Sequence, residues 1–329
     1  MSRPTIAGVA RAAGVSVASV SRVLNGLPAT EEMVERVQRA VSELGYVPDS
    51  RARSLKVGRT FQLTLAVADV GNPVYVTMMR AVEEVVSAAG YRLVVTTTGP
   101  EVVDEVALVR GMARGYADGL LISPIRVDED LVKSIRECEV PVVVAGSVPA
   151  KAGVDTVRAN SPKGMLLAVD HLAYCGRKRI AFLNGPADTV PGAARAKGFA
   201  EAMKAHNLHP AALAEATDFT FTAGRTAARE LQAAAKFDAV ICANDLLAVG
   251  LMHELAGVGL GVPDDVAVVG MDDSELAEQS FPPLTSVNLG SAERGRRAAE
   301  LLLARIEDNE RTPRRIVVQP SLSLRGSTP

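Results

Sequence analysis

From Phe61 onwards, short apolar runs alternate with stretches of helical periodicity, and this alternation restricts the fold more than any other feature. The run LTLAVAD (63–69) is typical of a buried strand, PVYVTMMRAVEEVVSAAG (73–90) of a helix, and YRLVVTTT (91–98) of a second strand. Further strands are predicted near 118–122, 140–145, 179–183, 238–242 and 265–270. Apolar strands separated by helices form doubly wound parallel sheets, and their number predicts an α/β region of two similar lobes.

The first sixty residues instead predict three short helices. Apolar residues at three-and-four spacing form a first helix that Gly14 ends. Ser16 is placed to cap a second helix that runs to Leu24, and Thr30 to cap a third that ends at Gly45. The third helix carries the apolar face Val34, Val37, Val41 and Leu44, for which Val9, Val20 and Val23 are natural partners in one small core.

The outer face of the second helix combines short side chains with one arginine. The short ones are the methyl-bearing Val17 and Ala18 and the hydroxyl-bearing Ser16, Ser19 and Ser21. Such a face can approach base edges in the major groove, where Arg22 can donate two hydrogen bonds to guanine. Two short helices joined by a glycine turn have the spacing of a helix-turn-helix. A purely structural three-helix cap with solvated serines fits the same spacing, so spacing alone leaves both interpretations open.

Charge is divided unevenly along the chain. The whole chain has a net charge of −2, but residues 1–60 carry nine basic and five acidic residues, a net charge of +4, against −6 for the remainder. A basic segment attached to an acidic one suits a polyanion-binding head, although +4 on so short a segment is also ordinary scatter.

Composition excludes several classes of protein. Three cysteines without CxxC spacing are typical of reduced, buried thiols in the cytoplasm. No apolar run reaches the length of a membrane span, and the N-terminus lacks the apolar core of a secretion signal. We therefore expect a cytoplasmic protein without a membrane partner.

Polar residues follow the predicted strands at their carboxyl ends, where ligands bind in such sheets. Asp69 and Asn72 follow the first strand, and Val74 and Tyr75 come soon after them. The residues that follow later strands are Ser123, Gly146, Ser147, Asn184 (with Arg195 on the next helix), Asn244, Asp245, Asp272 and Asp273. Donors, acceptors, both signs of charge and an aromatic ring suit a polar, polyhydroxylated small molecule. Taken singly, helix capping by Asn244, turn formation by Asp272 and packing by Tyr75 are equally good explanations.

Two segments, TIAGVARAAGVSVASVSRVLNG (5–26) and LGYVPDSRARSLKVGRT (44–60), strongly resemble the headpiece of the LacI family of bacterial transcription regulators. The later segments DVGNPVY, DGLLIS, AND, VGMDDSE and PPLTSV resemble the effector domain of that family, so the likeness covers essentially the whole chain. It implies a three-helix helix-turn-helix headpiece with a hinge helix, followed by a two-lobed domain like the periplasmic binding proteins.

The resemblance also implies boundaries. The headpiece is expected at 1–48, the hinge at 49–60 and the effector-binding and dimerisation domain at 61–329. Within that domain, one lobe is expected at 61–158 plus 290–316 and the other at 159–289 plus 317–329. Asp49 or Ser50 can cap the hinge helix, which is too short to be stable alone and would order on DNA.

In the family, a hinge leucine wedges between base pairs in the minor groove beside its dimer mate, and Leu55 holds that position here. The expected partner is therefore a palindromic operator with a central CG step, bound by a homodimer. A basic linker in which Arg51, Arg53 and Lys56 only touch phosphates is the plainer interpretation. The predicted DNA-contacting set is Thr5, Ser16, Val17, Ala18, Ser19, Ser21, Arg22, Asn25, Arg51, Ala52, Leu55 and Lys56.

By the same resemblance, Arg195, Asn244 and Asp272 would contact the effector, and Phe219 would pack on its apolar face. The predicted effector-binding set is Asn72, Val74, Tyr75, Ser123, Gly146, Ser147, Asn160, Arg195, Phe219, Asn244 and Asp272. The chain departs from the family where Ala193, Gly146-Ser147 and Ala159 replace residues that are often charged. Because each departure removes a charged group, the identity of the ligand does not carry over from other members.

Signals for catalysis are weak. The glycine-rich GVGLG (257–261) follows a helix rather than a strand, and GVSVA (14–18) is not a nucleophile elbow. The four histidines have no metal-ligand spacing, so neither a metal nor a cofactor is expected. We predict a dimeric, effector-responsive transcription regulator, a repressor, that is not an enzyme. The alternative is a cytosolic sugar-binding or sugar-modifying α/β protein whose N-terminal helices do not bind DNA.

Overall fold

The structure, a computed structural model, describes residues 4–24, 26–47 and 58–329. These form two compact units, one that ends at Thr60 and one that begins at Phe61. Asn25 and residues 48–57, which include most of the predicted hinge helix, lie outside the described residues.

Three helices form the first unit, as predicted: α1 (Ile6–Ala13), α2 (Val17–Leu24) and α3 (Glu31–Leu44). The predicted caps are confirmed. Ser16 Oγ accepts from the backbone N–H of Ser19 at 3.0 Å, and Thr30 Oγ1 accepts from that of Met33 at 3.4 Å. Gly14 and Gly45 end α1 and α3 with φ of 63° and 58°, a conformation that favours glycine.

The core of the first unit lies where the three helices meet. Val9, Val20 and Val37 are completely buried, and Ala10, Ala13 and Ala40 surround them. Leu44 was predicted on the buried face but is 39% exposed, because it is the last residue of α3 and extends beyond this core.

A side chain of α3 fixes the turn between α1 and α2. The Arg36 guanidinium donates to the carbonyl oxygen of Ala13 through Nε (3.0 Å) and Nη2 (2.7 Å), and to that of Gly14 (2.9 Å). These are carbonyls at the end of α1, where helices lack internal donors. Local periodicity in the sequence does not report this contact.

The second unit contains two six-stranded sheets. The first consists of β1 (Gln62–Val67), β2 (Arg92–Thr97), β3 (Gly119–Ser123), β4 (Val142–Val144), β5 (Asp155–Ala159) and β11 (Arg315–Val318). The second consists of β6 (Ile180–Asn184), β7 (Leu213–Glu215), β8 (Ala239–Cys242), β9 (Ala267–Met271), β10 (Thr285–Asn288) and β12 (Ser321–Ser323). Their orders are β11-β5-β4-β3-β1-β2 and β12-β10-β9-β8-β6-β7. All pairings are parallel except that of β10 with β12.

Helices connect and cover these strands. They are α4 (Pro73–Ala88), α5 (Val102–Gly111), α6 (Glu129–Arg136), α7 (Ser161–Tyr174), α8 (Val190–Ala205), α9 (Phe221–Ala234), α10 (Asp245–Gly257), α11 (Glu275–Gln279) and α12 (Ser291–Glu307). The two-lobed, doubly wound architecture predicted from the sequence is confirmed.

Alternation along the strands sorts apolar side chains to the two faces of the first sheet. Leu121 packs with Leu63 and Leu65 in one buried cluster, whereas Leu120 and Ile122 belong to another. Because successive side chains of a strand point to opposite faces, a sheet covered by helices on both faces needs continuous apolar runs. This requirement explains why the central strands were the most visible in the sequence.

The chain passes between the two sheets three times, at 160, at 289–290 and at 319–320. The crossings lie side by side. Asn160 donates from its backbone N–H to Val318 O (3.1 Å) and from Nδ2 to Gln319 Oε1 (3.2 Å), and Gly290 lies against Val318. After the second crossing, α12 packs against the first sheet through Ala298 and Leu302.

Among the described residues, no single helix combines the length and apolar character needed to cross a membrane. By length and composition alone, only α1 and α2 together reach that threshold, as a pair bent by 102°.

Candidate functional site

A cavity of about 750 Å³ lies between the carboxyl ends of the two sheets. Loops after β1, β3 and β4 form one wall, and α8 with the segments after β8 and β9 forms the other. This is the position at which open parallel sheets bind ligands, and the volume is in the range of small-molecule sites.

Ten of the eleven predicted effector-binding residues line this cavity. They are Asn72, Val74, Tyr75, Ser123, Gly146, Ser147, Arg195, Phe219, Asn244 and Asp272. Asn160 is the exception, although its neighbours Ala159 and Ser161 are in the wall. The Asn160 side chain accepts from the N–H of Lys163, which caps α7, and donates to Gln319 at the crossing between the lobes.

Arg195 and Asp272 form a buried ion pair in the second-lobe wall. Nη2 of Arg195 lies 3.3 Å from Oδ1 of Asp272, and both side chains are over 90% buried. The guanidinium also lies over the Phe219 ring, 5.7 Å from its centroid, whereas its Nε has no hydrogen-bond partner. Burial raises the pKa of Asp272, and Arg195 and Arg294 oppose that change.

The backbone at the end of β9 presents Asp272 to the cavity and turns Asp273 away from it. Asp272 has a φ of 109° and Asp273 a φ of 53°, both rare for residues other than glycine. Asp273 pairs with Arg325 at 2.8 Å and accepts from Ser323 Oγ at 2.8 Å, which fixes the segment around β12. The two neighbouring aspartates therefore have different roles.

Asn244 and Asp245, at the end of β8, also form hydrogen bonds that stabilise the fold. Asn244 accepts from the N–H of Leu247, which caps α10, and donates from Nδ2 to Phe219 O at 2.9 Å. It thus has the capping role expected of a structural residue while also lining the cavity. Asp245 accepts from Ser274 and Ser286 behind the wall, and burial raises its pKa to about 7.

The first-lobe wall is less charged. Asn72 caps α4 by accepting from the N–H of Val74 at 3.2 Å, and Ser123 Oγ donates to Ala145 O at 3.0 Å. Burial raises the pKa of the Tyr75 phenol, against the effects of Ser123 and Arg294. Tyr75 is therefore a neutral hydroxyl with an apolar ring beside the cavity.

Sequence reasoning missed three cations of the cavity wall: Arg158, Lys197 and Arg294. Arg294 lies in the first turn of α12, six residues after the end of β10. Searching the helix turn that follows each strand, and not only the strand end, would have found it. Arg158 lies within β5, which was not predicted as a strand.

In the first unit, the outer face of α2 has the predicted character. Val17 is 46% exposed, and Ser16, Ala18 and Arg22 are exposed too, whereas Ser19 and Ser21 are partly buried. Thr5 Oγ1 is engaged in accepting from the N–H of Gly8, which caps α1. The remaining predicted DNA contacts, Asn25, Arg51, Ala52, Leu55 and Lys56, lie outside the described residues.

Metal chemistry has no candidate in the part of the chain that the structure describes. No group of three or more His, Cys, Asp or Glu side chains is placed there to hold a metal ion.

Two family models match the sequence. One, described as bacterial regulatory proteins of the lacI family, matches residues 5–49, and another, described as a periplasmic binding protein-like domain, matches residues 169–328. The transcriptional regulator CelR of Thermobifida fusca is 37% identical over 339 residues, which cover 99% of this chain and 98% of CelR. The ribose operon repressor of Escherichia coli K12 is 34% identical and covers 98% of this chain and 99% of its own.

Solved structures are similar over the same length. A complex of the transcriptional regulator CelR with cellobiose superposes with a TM-score of 0.75 at 35% identity, covering 99% of this chain and 100% of the other. The Lac repressor dimer bound to its operator and the anti-inducer ONPF superposes with a TM-score of 0.88 at 26% identity, covering 99% of both chains.

Proposed function

This chain belongs to the LacI family of bacterial regulatory proteins and is a DNA-binding transcriptional regulator, and on that premise we propose that it is a repressor. It binds a palindromic operator as a homodimer, and a polyhydroxylated metabolite in the cavity between its lobes controls that binding. It acts in the cytoplasm, where the chromosome lies, and it does not chemically change the metabolite.

One observation carries the proposal of a metabolite: the buried Arg195–Asp272 pair at the cavity surface is incompletely satisfied. The pair makes one contact at 3.3 Å, and Nε of Arg195 lacks a partner although it is buried. Buried polar atoms without partners are costly, so a ligand that supplies them gains affinity. The Phe219 ring beside them offers the apolar surface on which one face of a sugar ring packs.

The class of ligand agrees with the relatives. The similar CelR structure contains cellobiose, and the ribose operon repressor carries a sugar in its name. A polyhydroxylated compound would receive hydrogen bonds from Asn72, Ser147 and Asn244, which line the cavity around Asp272. We propose these residues, with the other members of the predicted set that line the cavity, as the effector contacts.

The exposed face of α2 supports readout of DNA by the headpiece. Val17 and Ala18 would contact thymine methyl groups, and Arg22 would donate to O6 and N7 of one guanine. We propose that Leu55 opens a central CG step from the minor groove, as the sequence resemblance implies. Homodimer formation is supported by the similarity to a Lac repressor dimer bound to its operator.

The division into residues 1–48, 49–60 and 61–329 is part of this proposal. In it, effector binding changes the angle between the lobes, and that angle sets the spacing of two hinge segments that fold only on DNA. Coupling between two ligands of this kind is typically about 1–3 kcal/mol, or roughly 5–150-fold in affinity. The same two lobes would thus bind the effector and control the spacing of the hinge segments.

Selection of DNA from a random duplex library, with and without a metabolite extract, tests the proposal. We expect the full-length chain to enrich a palindrome with a central CG step, and the extract to change that enrichment. An enriched sequence that is unaffected by extract would contradict the effector response alone. Failure to enrich any sequence in either arm would contradict the proposed repressor function.

A further inference from the structure

Arg294 is a cation in the cavity wall with which no described residue pairs. It lies in the first turn of α12, and its Nε is buried without a hydrogen bond. Among the described residues, none forms a hydrogen bond or salt bridge with this side chain, while its neighbour Arg297 pairs with Glu293 and Glu300. Burial lowers the pKa of Arg294, and the nearby Asp272 opposes that change only in part.

The same helix contains a buried arginine that is fully satisfied. Arg305 donates from Nε to Asp155 Oδ2 at 2.6 Å, from Nη1 to Asn309 O at 2.9 Å and from Nη2 to Arg311 O at 3.0 Å. Arg305 therefore has an acceptor for each of these donors, whereas Arg294, eleven residues earlier, has none among the described residues. Arg294 is half-buried, but its Nε is fully buried and unpaired; because buried polar atoms in proteins are paired or bind a ligand, Arg294 is placed for a ligand.

Arg195 is the second arginine of this wall that has hydrogen-bond donors without acceptors. It contacts only one oxygen of Asp272, and its Nε is also buried without a partner. Arg195 and Arg294 are close enough for each to affect the other electrostatically, and both interact with Asp272. Two guanidiniums with free donors therefore share one carboxylate.

The charges of Arg195, Arg294 and Asp272 do not balance. Arg195 and Arg294 contribute two positive charges and Asp272 one negative charge, which leaves a net charge of +1. Asp245 lies outside the cavity wall, and its oxygens accept from Ser274 and Ser286 rather than pairing with either guanidinium. The wall has three further charged side chains. Asp69 and Lys197 are exposed and Arg158 is half-buried, as Arg294 is, and together they add another net positive charge.

We propose that the effector is a polyhydroxylated monocarboxylate, a sugar acid, whose carboxylate is bound by Arg294 and Arg195. This inference rests on the proposed function, because it specifies the ligand of the same cavity. A planar guanidinium fork matches the two oxygens of a carboxylate, and one carboxylate neutralises the net charge of +1. The hydroxyl groups would then face Asn72, Ser147 and Asp272.

A carboxylate fits better than a phosphate ester. A phosphate monoester carries about −1.5 to −2 charges at neutral pH, more than the net +1 of Arg195, Arg294 and Asp272, so part of its charge would depend on the more peripheral Arg158 and Lys197. The two kinds of anion share the requirement for Arg294, so the test must separate them.

Calorimetric titration of the full-length protein separates these ligand classes. The probes are D-glucuronate, D-galacturonate and D-gluconate, the neutral sugars D-glucose and D-galactose, and D-glucose 6-phosphate. We expect at least one acid to bind about tenfold or more tightly than every neutral sugar and the phosphate ester, the gain typical of hydrogen bonds to a charged group. Acids that bind no better than the neutral sugars, or more weakly than the phosphate ester, overturn the inference.

The variant Arg294→Met assigns the preference to this residue. It removes the charge and keeps an unbranched side chain, and we expect it to abolish the preference for the acid. Arg297→Gln, which changes an exposed arginine one turn along the same helix, should retain it. An acid preference that survives in Arg294→Met would overturn the role of Arg294.

A measurement without ligand tests the same point. A half-buried guanidinium whose Nε is buried without an acceptor destabilises the folded protein, so Arg294→Met should raise the midpoint of thermal unfolding by about 2–4 °C, whereas Arg297→Gln should not. A lower midpoint for Arg294→Met would mean that the protein itself satisfies this arginine, contrary to the inference.

Operator binding, measured on the same preparations, distinguishes this inference from the proposed function. Tight operator binding together with a preference for neutral sugars would overturn the sugar-acid inference and leave the repressor function standing. A preference for acids in a protein that binds no operator would support the inference and contradict the repressor function.

Discussion

Arg126 and Asp188 join the two lobes through a two-point ion pair beside the cavity. Nε and Nη2 of Arg126 lie 2.8 Å and 3.0 Å from the two carboxylate oxygens of Asp188, and this contact lowers the pKa of the aspartate. Next to them, the N–H of Val190 donates to Ile125 O at 2.7 Å. Arg126 follows β3 of the first sheet and Asp188 precedes α8 of the second, so these contacts hold the lobes together at one edge of the cleft.

Loss of this ion pair should loosen that edge. We expect Asp188→Asn to speed amide hydrogen exchange in peptides covering 125–126 and 188–192 by less than about fivefold, since exposed ion pairs contribute little individually. Asp264→Asn, an exposed position of the same lobe, is the matched control. Equal exchange in both variants would show that the backbone contact alone holds the edge.

Arg22 should determine one base of the operator. Arg22→Ala is expected to lose about 1–3 kcal/mol of discrimination at one guanine, because the paired donors to O6 and N7 are lost. Selection from the random library, repeated with the variant, would show the relaxed position. Arg39→Ala, exposed on α3, should leave base preference unchanged; if the two variants behave alike, Arg22 contributes only charge.

Asp272 should be required for the response to the effector. We expect Asp272→Asn to abolish the effect of metabolite extract on operator binding, because the amide replaces an acceptor that pairs with Arg195. Asparagine is chosen since it tolerates the φ of 109° at this position better than alanine does. Asp264→Asn again serves as control, and a normal response in the Asp272 variant would move the site elsewhere.

A methyl group at Gly185 should disturb the site without removing any polar contact. A Cβ there would overlap the ring of Phe219, which lies beside Arg195. We expect Gly185→Ala to weaken binding of the tightest titrated probe by about tenfold or more, as displaced packing typically costs 1–3 kcal/mol. Gly257→Ala, where a Cβ meets nothing, should bind normally. Comparable affinities in the two variants would show that Phe219 does not contact the ligand.

Glu105 should make stability depend on pH. It is 2% exposed, its Oε2 has no partner, and burial raises its pKa to about 7 from 4.5. An acid with a raised pKa in the fold stabilises the protein below its unfolded pKa, and this contribution is lost as pH rises through 7. Glu105→Gln should reduce the fall in unfolding midpoint between pH 5 and 8, by the equivalent of about 1–3 kcal/mol.

The exposed Glu83→Gln serves as the control for this measurement. It should reproduce the wild-type pH profile, part of which comes from Asp245, whose pKa is raised in the same direction. If Glu105→Gln also reproduces that profile, the pKa of Glu105 in the folded protein is not raised enough to affect stability.

The sequence predicted strands that form clear apolar runs, but it missed the buried β10, which begins with Thr285 and Ser286. Central strands such as β3 and β8 are continuously apolar and were found within one or two residues. Strands β5 and β11 carry charged residues, and β7 and β12 have three residues each. Their pairing depends on neighbours distant in the sequence, and local periodicity does not report it.

The cavity wall was predicted well where it follows the ends of strands and poorly elsewhere. The carboxyl-end rule placed Ser123 and Asp272 in the wall because parallel strands bring their ends together. It could not find Arg294, which reaches the cavity only because α12 crosses back to the first lobe. Asn160 was expected in the wall by resemblance, but its side chain bonds to Gln319 at the crossing.

The three adjacent crossings limit how the protein can respond to any ligand. Two bodies joined by one tether can reorient about three axes, whereas tethers side by side at 160, 289–290 and 319–320 leave one easy rotation, about the line they define. Chemically different molecules in the cavity would therefore all act through the same rotation of one lobe relative to the other. An activator and an antagonist at this site would differ only in the angle between the lobes that each one stabilises.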